Sequence, residues 1–134
     1  MGAWDIGVFD DDTSYDVLDD LHESKDIIGY MEKTFKAAME EDYVDYDQGI
    51  ATLVCSATID AVINGTAYRC DNEDFVQLIN KIRGIDLDTL KTRASSSLGN
   101  VISEMSELNE LWSDNEELYD DWKQNIKEII ERLS

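Results

Sequence analysis

Apolar residues recur along this chain at steps of three and four, the spacing that lines one face of an α-helix. Val17, Leu18 and Leu21 mark the inner face of a first helix that ends near His22, with Asp12 or Thr13 placed to cap it. Ile27, Ile28, Met31, Phe35 and Ala38 mark a second, opened by Ser24 or Asp26. Across residues 46–63 the pattern changes: between Ile50 and Ile63 nearly every side chain is apolar or small, and Asp60 is the one charge. Tyr46, Ile50, Leu53, Val54, Ala57 and Ala61 form one stripe, and Ile59, Val62 and Ile63 cover the other side. A helix that is apolar nearly all round belongs inside a soluble core, and about 14 apolar residues fall short of the roughly 17–25 that span a bilayer.

Asn64-Gly65 predicts a left-handed stop to that helix. Asp71 then opens a short helix with Phe75, Leu78, Ile79 and Ile82 inward, ended by Gly84. From Asp86, the positions Leu87, Leu90, Ala94, Leu98, Val101, Met105, Leu108 and Trp112 predict a long helix, with a break expected near Ser97-Leu98-Gly99. Ser113 and Glu116 have the spacing of a capping box that opens the last helix, whose inner face is Leu118, Trp122, Ile126, Ile129, Ile130 and Leu133. Residues 1–11 do not read as helix; Trp4, Ile6, Val8 and Phe9 predict an extended arm docked on the core. The expected architecture is a single all-α domain over residues 1–134, with five to six helices around a central apolar helix at about residues 46–63.

Composition agrees with this. Proline is absent and only seven glycines occur, which favours helices over turn-rich β structure. With 31 acidic against 11 basic residues the net charge is −20, a surface that repels nucleic acid and anionic membrane and calls for a basic partner. Acidity of this degree also marks disordered chains, but 43% hydrophobic content and three tryptophans predict a packed fold. No basic segment followed by an apolar run opens the chain, and Ile6 breaks the myristoylation pattern after Gly2. Cys55 and Cys70 are expected as reduced thiols, and the expected location is the cytoplasm, where the sequon at Asn64 has no meaning.

Motifs for chemistry fail on inspection. A calcium loop starting at Asp10 needs glycine at position 15 and glutamate at 21, where this chain has Tyr15 and Leu21. The run Asp10-Asp11-Asp12 is read instead as capping and dipole complementation. His22, the one histidine, has Asp19 three residues before it, half of a helical metal site whose other half lacks a histidine. No zinc-ligand spacing, phosphate loop or dinucleotide fingerprint occurs, so no cofactor or metal is expected. Cys55 sits among apolar neighbours that make its thiol inert, and Ser95-Ser96-Ser97 has no base nearby in sequence.

The two ends of the chain carry a family likeness. The opening MGAWDIGVFDDDTSYDVLDDL resembles that of the bacterial family called domain of unknown function 4259, whose members begin Met-Gly-x-Trp-Gly-x-Gly-x-Phe before an acidic cluster and a first helix. Met1, Gly2, Trp4, Gly7, Phe9, Asp10, Asp12, Asp16 and Leu18 match that pattern, while Asp5 stands where the family has glycine. Ser106, Glu107, Leu108, Leu111, Trp112, Trp122 and Leu133 are similar to the family's ending, and the alanine-rich central stretch sits where members have one. The resemblance brings no assigned reaction. Small acidic cytoplasmic proteins of this sort include immunity partners of secreted toxins.

The charge is unevenly placed. Residues 1–47 carry 15 acidic and 3 basic side chains, residues 48–93 carry 6 and 5, and residues 94–134 carry 10 and 3. Asp114, Glu116, Glu117, Tyr119, Asp120 and Asp121 are expected to cluster on the first turns of the last helix, and Asp42, Tyr43, Asp45 and Tyr46 form a second acidic and aromatic set. These ten residues are the expected partner-binding positions, with Tyr68 a further aromatic candidate. The function expected from them is inhibitory binding: an immunity protein whose acidic face fills the groove of a basic toxin, for instance the nuclease of a contact-dependent growth inhibition system. The alternative is a small enzyme or divalent-metal-binding protein that uses clustered carboxylates.

Overall fold

The computed structural model describes residues 5–70 and 72–134. Among the described residues seven helices follow one another: α1 Asp12–Glu23, α2 Ile27–Glu40, α3 Tyr46–Asn64, α4 Glu73–Ile82, α5 Asp88–Val101, α6 Glu107–Ser113 and α7 Tyr119–Leu133. No strand occurs among the described residues, and Val44 and Ser106 form one isolated parallel bridge. The all-α class stands, with seven helices in place of five to six. No helix among the described residues is long and apolar enough to cross a membrane.

Local signals set most helix ends. Asp26 caps α2 by accepting from the Gly29 N–H, and Asp45 caps α3 by accepting from the Gln48 N–H. Gly65 ends α3 at φ 67, a left-handed conformation that glycine adopts without a Cβ clash. The cap of α1 is Asp11, one residue before the expected pair, and that of α4 is Asn72; Asp71 lies outside the described residues.

Two expectations about the second half are corrected. The long helix is broken, but at residues 102–106 instead of 97–99. The hydroxyl of Ser103 donates to the Asn100 carbonyl and accepts from the Met105 N–H, while Ser106 caps α6 through the Asn109 N–H. These short side chains offer the backbone local bonds that compete with helix continuation. Both α5 and α6 bury apolar residues in the same core, so the stepped pattern runs on across the break. Met105 therefore lies in the link and is exposed, and Ile63 at the end of α3 is exposed as well. The capping box does not form either. The Asp114 and Asn115 N–H groups still bond to the Leu111 and Trp112 carbonyls, so Ser113 is inside the last turn of α6 and not in the extended conformation a cap requires. Asn115 supports the start of α7, its Oδ1 accepting from the Leu118 N–H.

α3 packs against each of the other six helices. Its residues Leu53, Val54, Cys55, Ala57 and Ile59 are buried, and Gly49 allows α6 to approach so closely that a Cβ there would lie 2.6 Å from Leu108 Cδ1. Val8 and Phe9 of the opening segment are buried, Phe9 meeting Phe75 at 4.8 Å between ring centres; Trp4 lies outside the described residues. Within residues 5–10 the chain turns, the Asp10 N–H bonding to the Gly7 carbonyl. Trp112 of α6 and Trp122 of α7 stack at 5.7 Å.

Polar groups in this core are nearly all paired. Asp60 is fully buried and accepts from Arg132 Nε at 2.9 Å, the Tyr68 hydroxyl at 2.6 Å and Asn64 Nδ2 at 2.8 Å, tying α3 to α7. Ser56 Oγ is the one buried side-chain polar atom without a hydrogen-bond partner among the described residues. Leaving such a group unsatisfied costs roughly 1–3 kcal/mol. The Ser56→Ala variant should therefore be the more stable by about 1 kcal/mol, read as a higher urea midpoint with an unchanged slope.

Candidate functional site

The expected partner-binding residues fall in two segments far apart in sequence, and each is bonded to α6. The Val44 N–H donates to the Met105 carbonyl at 2.8 Å and the Glu107 N–H donates to the Val44 carbonyl at 2.9 Å. Around this bridge, the Tyr43 hydroxyl donates to Glu110 Oε2 at 3.0 Å and the Tyr46 N–H donates to Glu107 Oε1 at 2.8 Å. On the far side of α6, the Tyr119 hydroxyl donates to Asn109 Oδ1 at 2.6 Å. The bridge thus joins residues 37–68 to residues 94–122, and neither stretch contains a lysine or arginine.

Each candidate has a definite place. Asp42, Tyr43 and Asp45 are exposed; Tyr46 is half-buried, and its hydroxyl donates to Asp11. Asp114, Glu116 and Glu117 are exposed on the link between α6 and α7, and only Tyr119, Asp120 and Asp121 belong to the first turn of α7. Tyr119 is half-buried, stacks on Trp122 and lies under Lys123 Nζ at 5.8 Å from its ring centre. Tyr68 is engaged inside the fold through Asp60. Asn109 and Glu110, bonded to Tyr119 and Tyr43, carry no sequence signal, since those partners lie 10 and 67 residues away; Glu107, whose partner lies 61 residues away, is marked only by the likeness to the family's ending.

The anionic surface continues past this point. Between α1 and the start of α3 lies a cleft of about 470 Å³ bordered by Asp16, Asp20, Asp45, Asp47 and the half-buried Tyr30. Burial first, then Cys55 and Asp20, push the Tyr30 phenol above its ordinary range. The Tyr43 phenol is raised by desolvation, by its bond to Glu110 and by the charges of Glu110, Glu107 and Asp45. Desolvation and the neighbouring Asp74, Glu23 and Asp16 raise the Asp19 carboxyl on α1. The adjoining cleft between α2 and α5, which Met39 borders, is mixed, with Asp26, Glu32 and Glu40 beside Lys33, Lys36 and Arg93.

The chemistry tested against the sequence finds these places. Asp10 accepts from the Gly7 N–H and is paired with Arg69, which also reaches Asp5 at 3.2 Å; Asp11 caps α1. The backbone N–H of Ile6, then Arg69, hold the Asp5 carboxyl below its ordinary range. His22 bonds Gln77 at 3.0 Å. Among the described residues no group of three or more His, Cys, Asp or Glu is placed to hold a metal ion. Cys55 is fully buried in α3, and desolvation pushes its thiol up to about 12.

Fold and composition together define a small all-α protein with a net charge of −20. The chain belongs to the family described as a domain of unknown function (DUF4259), whose model matches residues 2–125. Comparison with curated proteins and with solved structures returns no match.

Proposed function

We propose that this is an acidic binding protein of the cytoplasm, an immunity protein that neutralises a basic toxin domain with nuclease activity, such as that of a contact-dependent growth inhibition system. Its anionic face covers the groove in which the toxin would otherwise hold nucleic acid. The observation that supports this reading is the bridge at Val44, which pairs the connection between α2 and α3 with the start of α6, both within stretches of sequence that contain no lysine or arginine. A charge of −20 destabilises the compact state by self-repulsion, and a basic partner gives that cost a use: opposed charge speeds encounter by about 10- to 10³-fold. The partner contacts nucleic acid, whereas this chain binds neither nucleic acid nor membrane.

The test first asks whether the adjoining gene encodes a basic nuclease domain; that domain, purified, is then mixed with this chain in increasing amount, and an adjoining gene of another kind counts against the proposal. Nuclease activity should vanish at one equivalent. The association rate should fall at least about tenfold as salt rises from roughly 50 to 500 mM, because exposed charges are screened over about 8 Å at physiological strength. An association rate indifferent to salt, or a complex that leaves the nuclease active, overturns the proposal.

A further inference from the structure

Within the anionic face, one end of the bundle combines charge with exposed apolar side chains. The C-terminal ends of α2 and α5 are joined there by Asn100 Nδ2, which donates to the Ala38 carbonyl at 3.0 Å. The starts of α3 and α6 meet beside them at the Val44 bridge. Among the described residues six large apolar side chains are exposed, and three belong to this end: Met39 at 48%, Tyr43 at 41% and Met105 at 54%. The other three, Ile63, Val76 and Ile85, lie at the end of α3, on α4 and just after α4.

The surroundings of the three are acidic. Glu40 ends α2, Glu41, Asp42 and Asp45 lie in the connection to α3, and Asp47 is in the first turn of α3. Glu104, Glu107 and Glu110 come from the connection between α5 and α6 and from α6 itself. Lys36 and Arg93, in the cleft that Met39 borders, mark where the cation-free surface ends. Tyr43 is already held in place by Glu110, so little rotamer freedom remains to be lost on docking. By contrast, the acidic set from Asp114 to Asp121 surrounds Tyr119 and Leu118, both half-buried, and offers no exposed apolar side chain.

An apolar centre inside a charged rim is the anatomy of a protein–protein interface, in which methionine and aromatic residues are enriched at the centre. Methionine adds an unbranched, polarisable side chain that adapts to the pocket it enters. We infer that Met39, Tyr43 and Met105 are the anchors of the docking surface, and that the occupant is a protein surface with an apolar recess ringed by lysine or arginine. This inference rests on the proposed binding function and selects, among its acidic segments, the one around the Val44 bridge.

The probe is a cationic amphipathic helical peptide of leucine and lysine, titrated into the isotopically labelled full chain and followed by amide chemical shifts; polylysine serves as the purely cationic comparison. The amphipathic peptide should shift amides of residues 38–47 and 100–110. The triple variant M39S/Y43S/M105S should bind it at least about tenfold more weakly, with polylysine binding unchanged. The control V76S/I85S should bind the peptide like the parent chain. Shifts confined to Asp114–Asp121 or to the cleft beside α1, or a triple variant that binds the peptide normally, overturn the inference and leave the acidic binding reading intact. Failure of both probes to bind at low salt overturns both. Because all three side chains are exposed, the helical circular dichroism of the triple variant should match the parent; if it does not, M105S alone carries the same comparison.

Discussion

Replacing Arg132 by methionine should destabilise the protein by about 3 kcal/mol, at the lower end of the roughly 3–5 kcal/mol seen when a buried ion pair loses one partner. The carboxylate of Asp60 is 0% exposed and the Arg132 side chain 35%, so the loss falls on the group that cannot reach water. Tyr68 and Asn64 would still donate to Asp60, which keeps the figure from rising further. For a chain of this size the melting temperature should fall by about 10 °C. The converse experiment separates desolvation from packing. With Asp60→Leu, Tyr68→Phe and Arg132→Met combined, no polar group is stranded, and stability should return to within about 1–2 kcal/mol of the parent. Thermal unfolding of the single and triple variants checks both values; a triple variant no more stable than the single one would show that the cluster contributes by its shape and not by its charge pairing.

Stability should also collapse on the alkaline side. Burial pushes the Cys55 thiol from an unfolded value near 9 up to about 12. The folded chain holds the neutral form, so the stabilisation is complete below pH 9, and is lost as the unfolded state releases its proton between pH 9 and 12. At 1.36 kcal/mol per unit the loss reaches about 4 kcal/mol at the upper limit. The Tyr68 phenol, raised by burial and by its bond to Asp60, adds to the same slope. Urea midpoints measured from pH 7 to 11 should fall steadily above pH 9. The Cys55→Ala variant should start lower at pH 7, because it opens a small cavity, yet fall less steeply. In the native state at pH 8, Cys55 should resist a thiol reagent that modifies it at once in denaturant.

The parts of the fold that were legible in sequence are those determined within a turn or two. Asp26 before an apolar stripe and Asn64-Gly65 after one set helix ends by bonds to neighbouring backbone groups, and both are found where expected. The break between α5 and α6 was misplaced because apolar spacing reports only which side faces the core, and both helices face the same core. Serine at positions 103 and 106 held the information, but serine occurs as readily within helices, as Ser95, Ser96 and Ser97 do in α5. The candidate surface was legible only as two separate acidic segments. What unites them is the pairing of Val44 with Met105 and Glu107 and of Tyr43 with Glu110, and no local pattern specifies contacts between residues so distant along the chain. The same holds for Asp60: its isolation in an apolar helix was visible, while its partner, 72 residues away, was not.

The Val44 N–H and carbonyl are both engaged, by the Met105 carbonyl and the Glu107 N–H, and the residue is buried inside an otherwise exposed connection. Its amide should therefore exchange hydrogen with water far more slowly than that of its exposed neighbour Asp42, which makes it a reporter of the joint between the two halves of the chain.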